Sequence, residues 1–385
     1  MAWWALSIGF ALLACHPFAT YPLSLLAVRG LAGVKPRRPT ADSGGLAVAV
    51  LCCAYNEERV IRAKLENSLQ LKATDPSTRL LFYTDGCTDR TAEIIAATPE
   101  VRLVASDHRQ GKSHGMNLLA AAAGDADLLL FTDANVRVDR DAIAAVRRAF
   151  ADPTVGCVCG HLVYVNPEES ATARAGARYW SFDEWLKRLE TDTGSCVGAD
   201  GSLFAIRRSL FTPVPADIID DFFTSLSIWC SGWRVVICPE LIAYERSASG
   251  SREEFRRKVR IACRAFNCHR LLWPRIVRLP AWDLYKYLSH KLLRWIAGAC
   301  VVLAAASLML GVAAGGVPLP VVLGVALVIG IALAGGAVLR VAPMALLGEA
   351  LLAMTATVFG VLCSLRGRRF QTWAQPETTR QAGVG

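Results

Sequence analysis

Charge is missing from two long stretches of this 385-residue chain. Ala2 to Val28 contains no Lys, Arg, Asp or Glu, and between Trp295 and Leu365 the only charged residues are Arg340 and Glu349. Roughly 20 apolar residues cross a bilayer as a helix. The first tract (residues 1–28) therefore offers one candidate span. The second is punctuated by Gly315-Gly316, Pro318, Pro320 and Pro343, and offers about three: 295–314, 318–339 and 342–365. With 53% hydrophobic and only 19% charged residues, an ordinary soluble enzyme is excluded. Residues 45–280 are polar enough for a globular domain, followed by an amphipathic segment at 281–294 and a tail at 366–385.

Other absences narrow the chemistry. The 13 Cys form no CxxC pair and no zinc-spaced array, and several lie in apolar runs, where a reduced thiol is a small hydrophobe. A reducing, cytoplasmic location fits. Leu12-Leu13-Ala14-Cys15 has the look of a lipoprotein processing box, but no basic residue precedes it and the apolar run continues to Val28, so the reading is an uncleaved anchor. The net charge of +9 does not imply nucleic acid. Its Arg and Lys cluster at Arg29, Lys35, Arg37 and Arg38 and at Arg256 to Arg264, both flanking apolar tracts, where lipid headgroups and the positive-inside rule account for them. That rule puts the middle domain in the cytoplasm of a multi-pass inner- or plasma-membrane protein. "SDHRQGKS" has Ser106 where a phosphate-binding P-loop needs its first Gly, and it does not follow the first strand.

What is present alternates. "GGLAVAVLCCAY" reads as a strand covered on both faces, with Asn56 capping a helix whose first turn carries Glu57 and Glu58. "RLLFYTDG", "VRLVAS" and "DLLLFTDA" are further strands, and "CTDRTAEIIAAT" and "GKSHGMNLLAAAA" helices between them. The alternation predicts an α/β domain with a parallel sheet, whose ligands sit at the carboxyl ends of its strands. Asp85 and Asp133 fall on that edge. Either could belong to a mere turn, since Asp and Asn favour turns. In chain order, however, they join Lys112, Asn135, Asp220-Asp221, Arg257 and Arg260. A reaction that binds a diphosphate and deprotonates a hydroxyl needs this inventory: oxygen ligands for a divalent cation, a carboxylate base, and cations for an anionic leaving group.

"AYNEE", "TDGCTDRT", "RQGKSHGMN", "FTDAN", "GADGSLFAIRR", "IDDFF" and "HKLLRW" together resemble, over about residues 46–300, the membrane-bound family-2 glycosyltransferases, which have a GT-A catalytic domain and lie near the cellulose, chitin and hyaluronan synthases. The resemblance implies inverting transfer from a nucleotide-diphosphate sugar, UDP-linked in the family's commonest case, with Mg²⁺ or Mn²⁺ on the diphosphate. It places Ala54, Tyr55 and Glu57 around the nucleotide, Asp85 against base or ribose, Lys112 near the nucleotide, and Gly198, Asp200 and Gly201 of GADG near the donor sugar. Arg257 and Arg260 join the donor site. Asp133 becomes a metal ligand, and Asp221 the base that deprotonates the acceptor.

Two departures matter. Asn135 replaces the second acid of DxD, keeping an oxygen but not a charge. The synthases' QxxRW appears as Arg257 to Ile261, without Gln or Trp, which argues against long-chain polymerisation. The expectation is one or a few sugars added to a lipid-linked or saccharide acceptor at the membrane, with a processive synthase as the alternative. A nucleotide-binding transporter or receptor is the reading from another class. It is disfavoured because Glu349 is the only acid in the later tract, whereas transporters carry ionisable groups in their spans.

Overall fold

The computed structural model describes residues 1–31, 33, 45–247, 250–338 and 342–372. Lys35, Arg37, Arg38 and Arg340 lie outside them. The chain opens with α1 (Ala2–Cys15) and α2 (Thr20–Leu31), then β1 (Val48–Ala54), α3 (Ile61–Thr74), β2 (Arg79–Asp85), α4 (Thr91–Ala96), β3 (Val101–Ser106), α5 (Lys112–Ala122) and β4 (Leu128–Asp133). The second half of the domain has β5 (Arg137–Val138), α6 (Ala142–Phe150), β6 (Val155–Tyr164), α7 (Ala171–Asp192), β7 (Leu203–Arg207), α8 (Asp220–Trp229), β8 (Arg234–Glu245) and α9 (Ser251–Ile276). After α10 (Ala281–Tyr287) come α11 (Leu293–Ala314), α12 (Leu319–Val338) and α13 (Ala342–Leu365).

One sheet runs β3-β2-β1-β4-β7-β6-β8-β5. Its first four strands are parallel, as the alternation predicts. Beyond β4 it is mixed: β7 runs antiparallel to both β4 and β6, while β8 returns parallel to β6. The period of two in the strands sorts side chains between two cores. Val48, Val50 and Cys52 face α3, α4 and α6, while Ala49 and Leu51 face α5, α8 and α9. Both faces are dry, which is why β1 reads as an unbroken apolar run.

The entry to α3 differs from expectation. Asn56 does not cap a helix; α3 begins at Ile61, after a turn. Asn56 instead adopts a left-handed backbone, φ 51°, uncommon outside Gly. Its amide locks onto the next loop, donating to Thr88 Oγ1 at 3.0 Å and accepting from Thr88 N at 2.9 Å. Asp89, just ahead of α4, accepts from Thr91 N at 3.0 Å and from Glu58 N at 3.0 Å. The two loops at the sheet's carboxyl edge are thus bolted together.

The apolar tracts are revised too. Among the described residues two helices are long and apolar enough to cross a membrane, 281–314 and 347–365. The leading tract is not one straight helix but a pair bent by 53°, which would make a third span if counted as one. The 281–294 segment is no separate interfacial helix. Leu288–Leu292 forms a π-helical turn that joins α10 to α11. Lys286, in the segment read as amphipathic, is buried and donates to Ser195 O at 2.8 Å, and Trp282 donates to Thr193 O at 3.1 Å.

The tail returns to the domain. Arg368 O accepts from Asn267 Nδ2 at 3.2 Å, and Arg369 pairs with Asp217 at 3.2 Å. α13 lies against α9 so closely that a Cβ on Gly360 would stand 2.6 Å from Val259 O. If the two long helices both cross a membrane, a tail touching the domain lies on the domain's side of it. Tags placed at the C-terminus and in a loop of the 45–280 domain should therefore show the same protease access in sealed vesicles. Opposite access would refute this packing.

Candidate active site

The carboxyl edge of β1, β2 and β4 carries the predicted constellation, and Lys112 is its centre. As the first residue of α5 its side chain crosses to the end of β4, 2.7 Å from Asp133 Oδ1, and to the start of α8, 3.1 Å from Asp220 Oδ2. Burial opposes the ammonium charge, but Asp133 and Asp220 together hold its pKa well above the ordinary lysine range. Asp220 is correspondingly pulled down: burial raises it, and Lys112 and Arg264 outweigh that.

Asp221 is the opposite case. Burial, reinforced by the negative charges of Asp220 and Asp200, pushes its carboxyl up to about 7. Oδ1 accepts from Phe222 N at 2.7 Å. Oδ2 faces the GADG loop, 3.0 Å from where a Cβ on Gly201 would stand, so glycine there keeps the carboxylate approachable. Two adjacent acids thus divide into a charge held by Lys112 and a carboxyl poised near neutrality, a division suited to proton abstraction.

Asp85, which the resemblance sets against base or ribose, is bound within the protein. It is 1% exposed, and its oxygens accept from Gln110 N at 2.7 Å, Gly111 N at 2.9 and 3.0 Å, and Tyr83 Oη at 3.0 Å. It shapes the loop that delivers Lys112. The same bonds settle the P-loop question, because backbone N–H groups that would cradle a phosphate are spent on Asp85. Gln371 of the tail also reaches this loop, its carbonyl oxygen 2.6 Å from a Cβ position on Gly111.

The "TDAN" turn is held from beneath. Buried Lys64 donates to Thr132 Oγ1 at 2.9 Å and Val136 O at 2.7 Å, and Asn67 brackets Val138. Asn135 Nδ2 donates to Glu245 Oε1 at 2.9 Å, leaving the amide oxygen for other work. Glu245, at the end of β8, also accepts from Ser202 Oγ at 3.1 Å. Burial and then Asp133 push its pKa upward. Sequence reasoning missed Glu245, since nothing local marks it and its partner lies over a hundred residues away. Among the described residues no three His, Cys, Asp or Glu side chains group as a complete metal site. Asp133 and the Asn135 oxygen are hard ligands that fit Mg²⁺ or Mn²⁺ only if substrate phosphates complete the shell, the usual arrangement for Mg²⁺.

Other predicted residues divide. Ala54 and Glu57 are buried at the edge, and the Tyr55 ring carries the Arg109 guanidinium 3.8 Å above its centroid. Asp200 caps its own loop, accepting from Ser202 N at 2.8 Å. Arg257 is engaged by Glu254 at 2.8 and 3.2 Å, whereas Arg260 has no hydrogen bond or ion pair among the described residues. Burial, with Arg264 and Arg257 nearby, pulls Arg260 down to about 10. Ile261 supplies no aromatic, but Trp295 packs edge-on to Phe222, the neighbour of Asp221, at 6.3 Å between centroids.

A base that must be ionised gives a signed expectation. Free-enzyme Asp221 is protonated below about 7, so kcat/KM for the donor should fall on the acid side of an inflection near that pH. A rate profile flat from pH 5.5 to 8.5 would contradict it.

Residues 49–213 match the family described as Glycosyl transferase family 2. The O-antigen chain rhamnosyltransferase RfbN of Salmonella typhimurium is 26% identical over 195 residues, covering 46% of this chain and 60% of that protein. An N-acetylglucosaminyltransferase of Azorhizobium caulinodans is 23% identical over 262 residues, covering 63% and 64%. The chain thus spans a little under two thirds of the length of these curated relatives. In three dimensions it resembles the mannosyltransferase PcManGT from Pyrobaculum calidifontis, solved with GDP-Man and Mn²⁺, at a TM-score of 0.72 and 22% identity over 95% of this chain and 99% of that one. The α/β sheet with its mixed second half is of the GT-A type, and residues 49–213 within it match the glycosyl transferase family 2 model.

Proposed function

We propose that the protein moves a sugar, with inversion, from a nucleotide-diphosphate sugar to a lipid-linked or saccharide acceptor at the membrane. The observation that carries this reading is the split between Asp220 and Asp221. Lys112 neutralises the first, and the second is left as a half-buried carboxylate whose other oxygen opens on the GADG loop. Asp221 Oδ2 would take the acceptor hydroxyl proton as the oxygen attacks the sugar's anomeric carbon from the face opposite the leaving diphosphate. One displacement by an activated hydroxyl inverts that centre. Arg260, which has no direct ion pair among the described residues, would meet the diphosphate, and Lys112 would share its charge with it.

Asp133 and the Asn135 oxygen would hold the divalent cation with the diphosphate, and the cation would neutralise developing charge on the leaving group. The Mn²⁺ beside GDP-Man in PcManGT supports such a cation, and its guanine nucleotide leaves the base open between UDP and others. The rhamnosyl- and N-acetylglucosaminyltransferase relatives support a role in surface polysaccharide or glycolipid synthesis. The apolar helices beside the domain support a multi-pass membrane location with the active site on the cytoplasmic face.

Purified protein in bilayers, given a panel of sugar nucleotides and a divalent cation, should release free nucleoside diphosphate and extend an acceptor by one or a few sugars. Long polymer made without added acceptor would favour the processive alternative. Asp133→Ala should abolish cation-dependent turnover while the domain stays folded, because it removes an edge carboxylate and not core volume. Wild-type turnover in that variant would sink the metal assignment. Asn135→Asp should retain activity or tighten Mn²⁺ binding.

A further inference from the structure

Beside the catalytic edge lies a second shell of charge that the proposed chemistry does not use. It is built from α7, the π-helical turn and α11. Asp183 accepts from His290 Nε2 at 3.1 Å and Arg294 Nη1 at 2.5 Å, and pairs with Lys187 at 3.3 Å. Glu190 accepts from His290 Nδ1 at 2.7 Å, Tyr21 Oη at 2.5 Å and Val197 N at 2.9 Å. Asp283 pairs with Lys286 at 2.9 Å. Every carboxylate in the shell is committed, and His290, fully buried, is clamped between two of them.

Lys291 is left over. Among the described residues it makes no hydrogen bond or ion pair. Its ammonium stands 5.4 Å from the centre of the Phe222 ring, and its Cε lies 3.8 Å from a Cβ position on Gly198. Phe222 follows the proposed base, and Gly198 opens the loop whose other end, Gly201, faces Asp221 and Lys112. The ammonium therefore sits beside the proposed base, at the end of the loop away from Lys112, attracted by Asp183 and Glu190 from a distance but bonded to neither. It lies two residues ahead of α11, within the first turns of the long apolar helix 281–314. Its backbone is a π-helical turn, a distortion that recurs where a side chain is aimed at a function.

The donor's diphosphate has its own cations in Lys112 and Arg260. An ammonium with no direct ion pair among the described residues, on the far side of the proposed base, has room for a second anion, and the group that approaches from there is the acceptor. We propose that Lys291 is the anion-binding residue of the acceptor site and recognises a phosphate ester on the acceptor, carried by a lipid whose chain lies along α11. This deepens the glycosyltransferase reading and rests on it.

Binding to the full chain, purified in detergent and titrated by native mass spectrometry, tests the site without turnover. The probes are farnesyl phosphate, farnesol and glucose 1-phosphate. Wild-type protein should hold farnesyl phosphate about 10–100-fold more tightly than farnesol, the scale of a hydrogen bond to a charged group. Lys291→Met should erase that preference, Lys291→Arg should retain it, and UDP and GDP should bind Lys291→Met as they bind wild type. Equal affinity of wild type and Lys291→Met for farnesyl phosphate would overturn the site and leave Lys291 an interfacial cation. Lys291-dependent preference for glucose 1-phosphate over farnesyl phosphate would keep the anion site and overturn its lipid assignment. Failure of wild type to transfer from any sugar nucleotide would instead refute the glycosyltransferase reading, with the binding comparison still deciding the site.

Discussion

One ammonium group holds the active edge together. Lys112 lies between Asp133 and Asp220, and by doing so joins the ends of three elements, β4, α5 and α8, that are distant in sequence. Without it, Asp133, Asp220 and Asp221 would be three neighbouring acids with little compensation in a poorly solvated pocket, an arrangement that costs several kcal/mol per unpaired ion or forces protonation. With it, one acid is neutralised in place and its neighbour is left to titrate near neutrality. Asp85 belongs to the same constraint, because its bonds to Gln110 and Gly111 fix the loop from which Lys112 departs.

The position of this edge relative to the apolar helices follows from packing. Trp295 of α11 meets Phe222, Gly360 of α13 meets α9, and the tail meets Asp217 and Gly111. Asp221 is thereby set close to the point where the long helices begin. An acceptor with one end in lipid and one end in water suits that placement better than a freely soluble sugar.

Much of this was legible in the chain. Strands β1 to β4 announce themselves as apolar runs because both faces of the sheet are covered, and Asp85 and Asp133 sit at their ends because those runs stop there. The antiparallel insertion of β7 beside β4 was not legible, since it depends on pairing across about seventy residues and not on any local period. Asn56 reads as a helix cap because Asn caps helices, but Thr88, brought close only by folding, gives its amide a better partner. Lys286 and Lys291 look like headgroup lysines in an amphipathic pattern. Ser195 buries the first, and the commitment of every nearby acid isolates the second, which only three dimensions reveal. Glu245 had no signal at all, because its role is defined by Asn135 and Ser202.

The central claim is that two adjacent carboxylates have different jobs, and comparing Asp220→Asn with Asp221→Asn in bilayers tests it most directly. Release of nucleoside diphosphate from the sugar donor should fall by about 10²–10⁴ in Asp221→Asn, with nucleotide binding preserved and the acid limb of the rate profile gone. Asp220→Asn should keep that limb. Activity retained in Asp221→Asn and lost in Asp220→Asn would assign the base to the wrong neighbour and contradict the account.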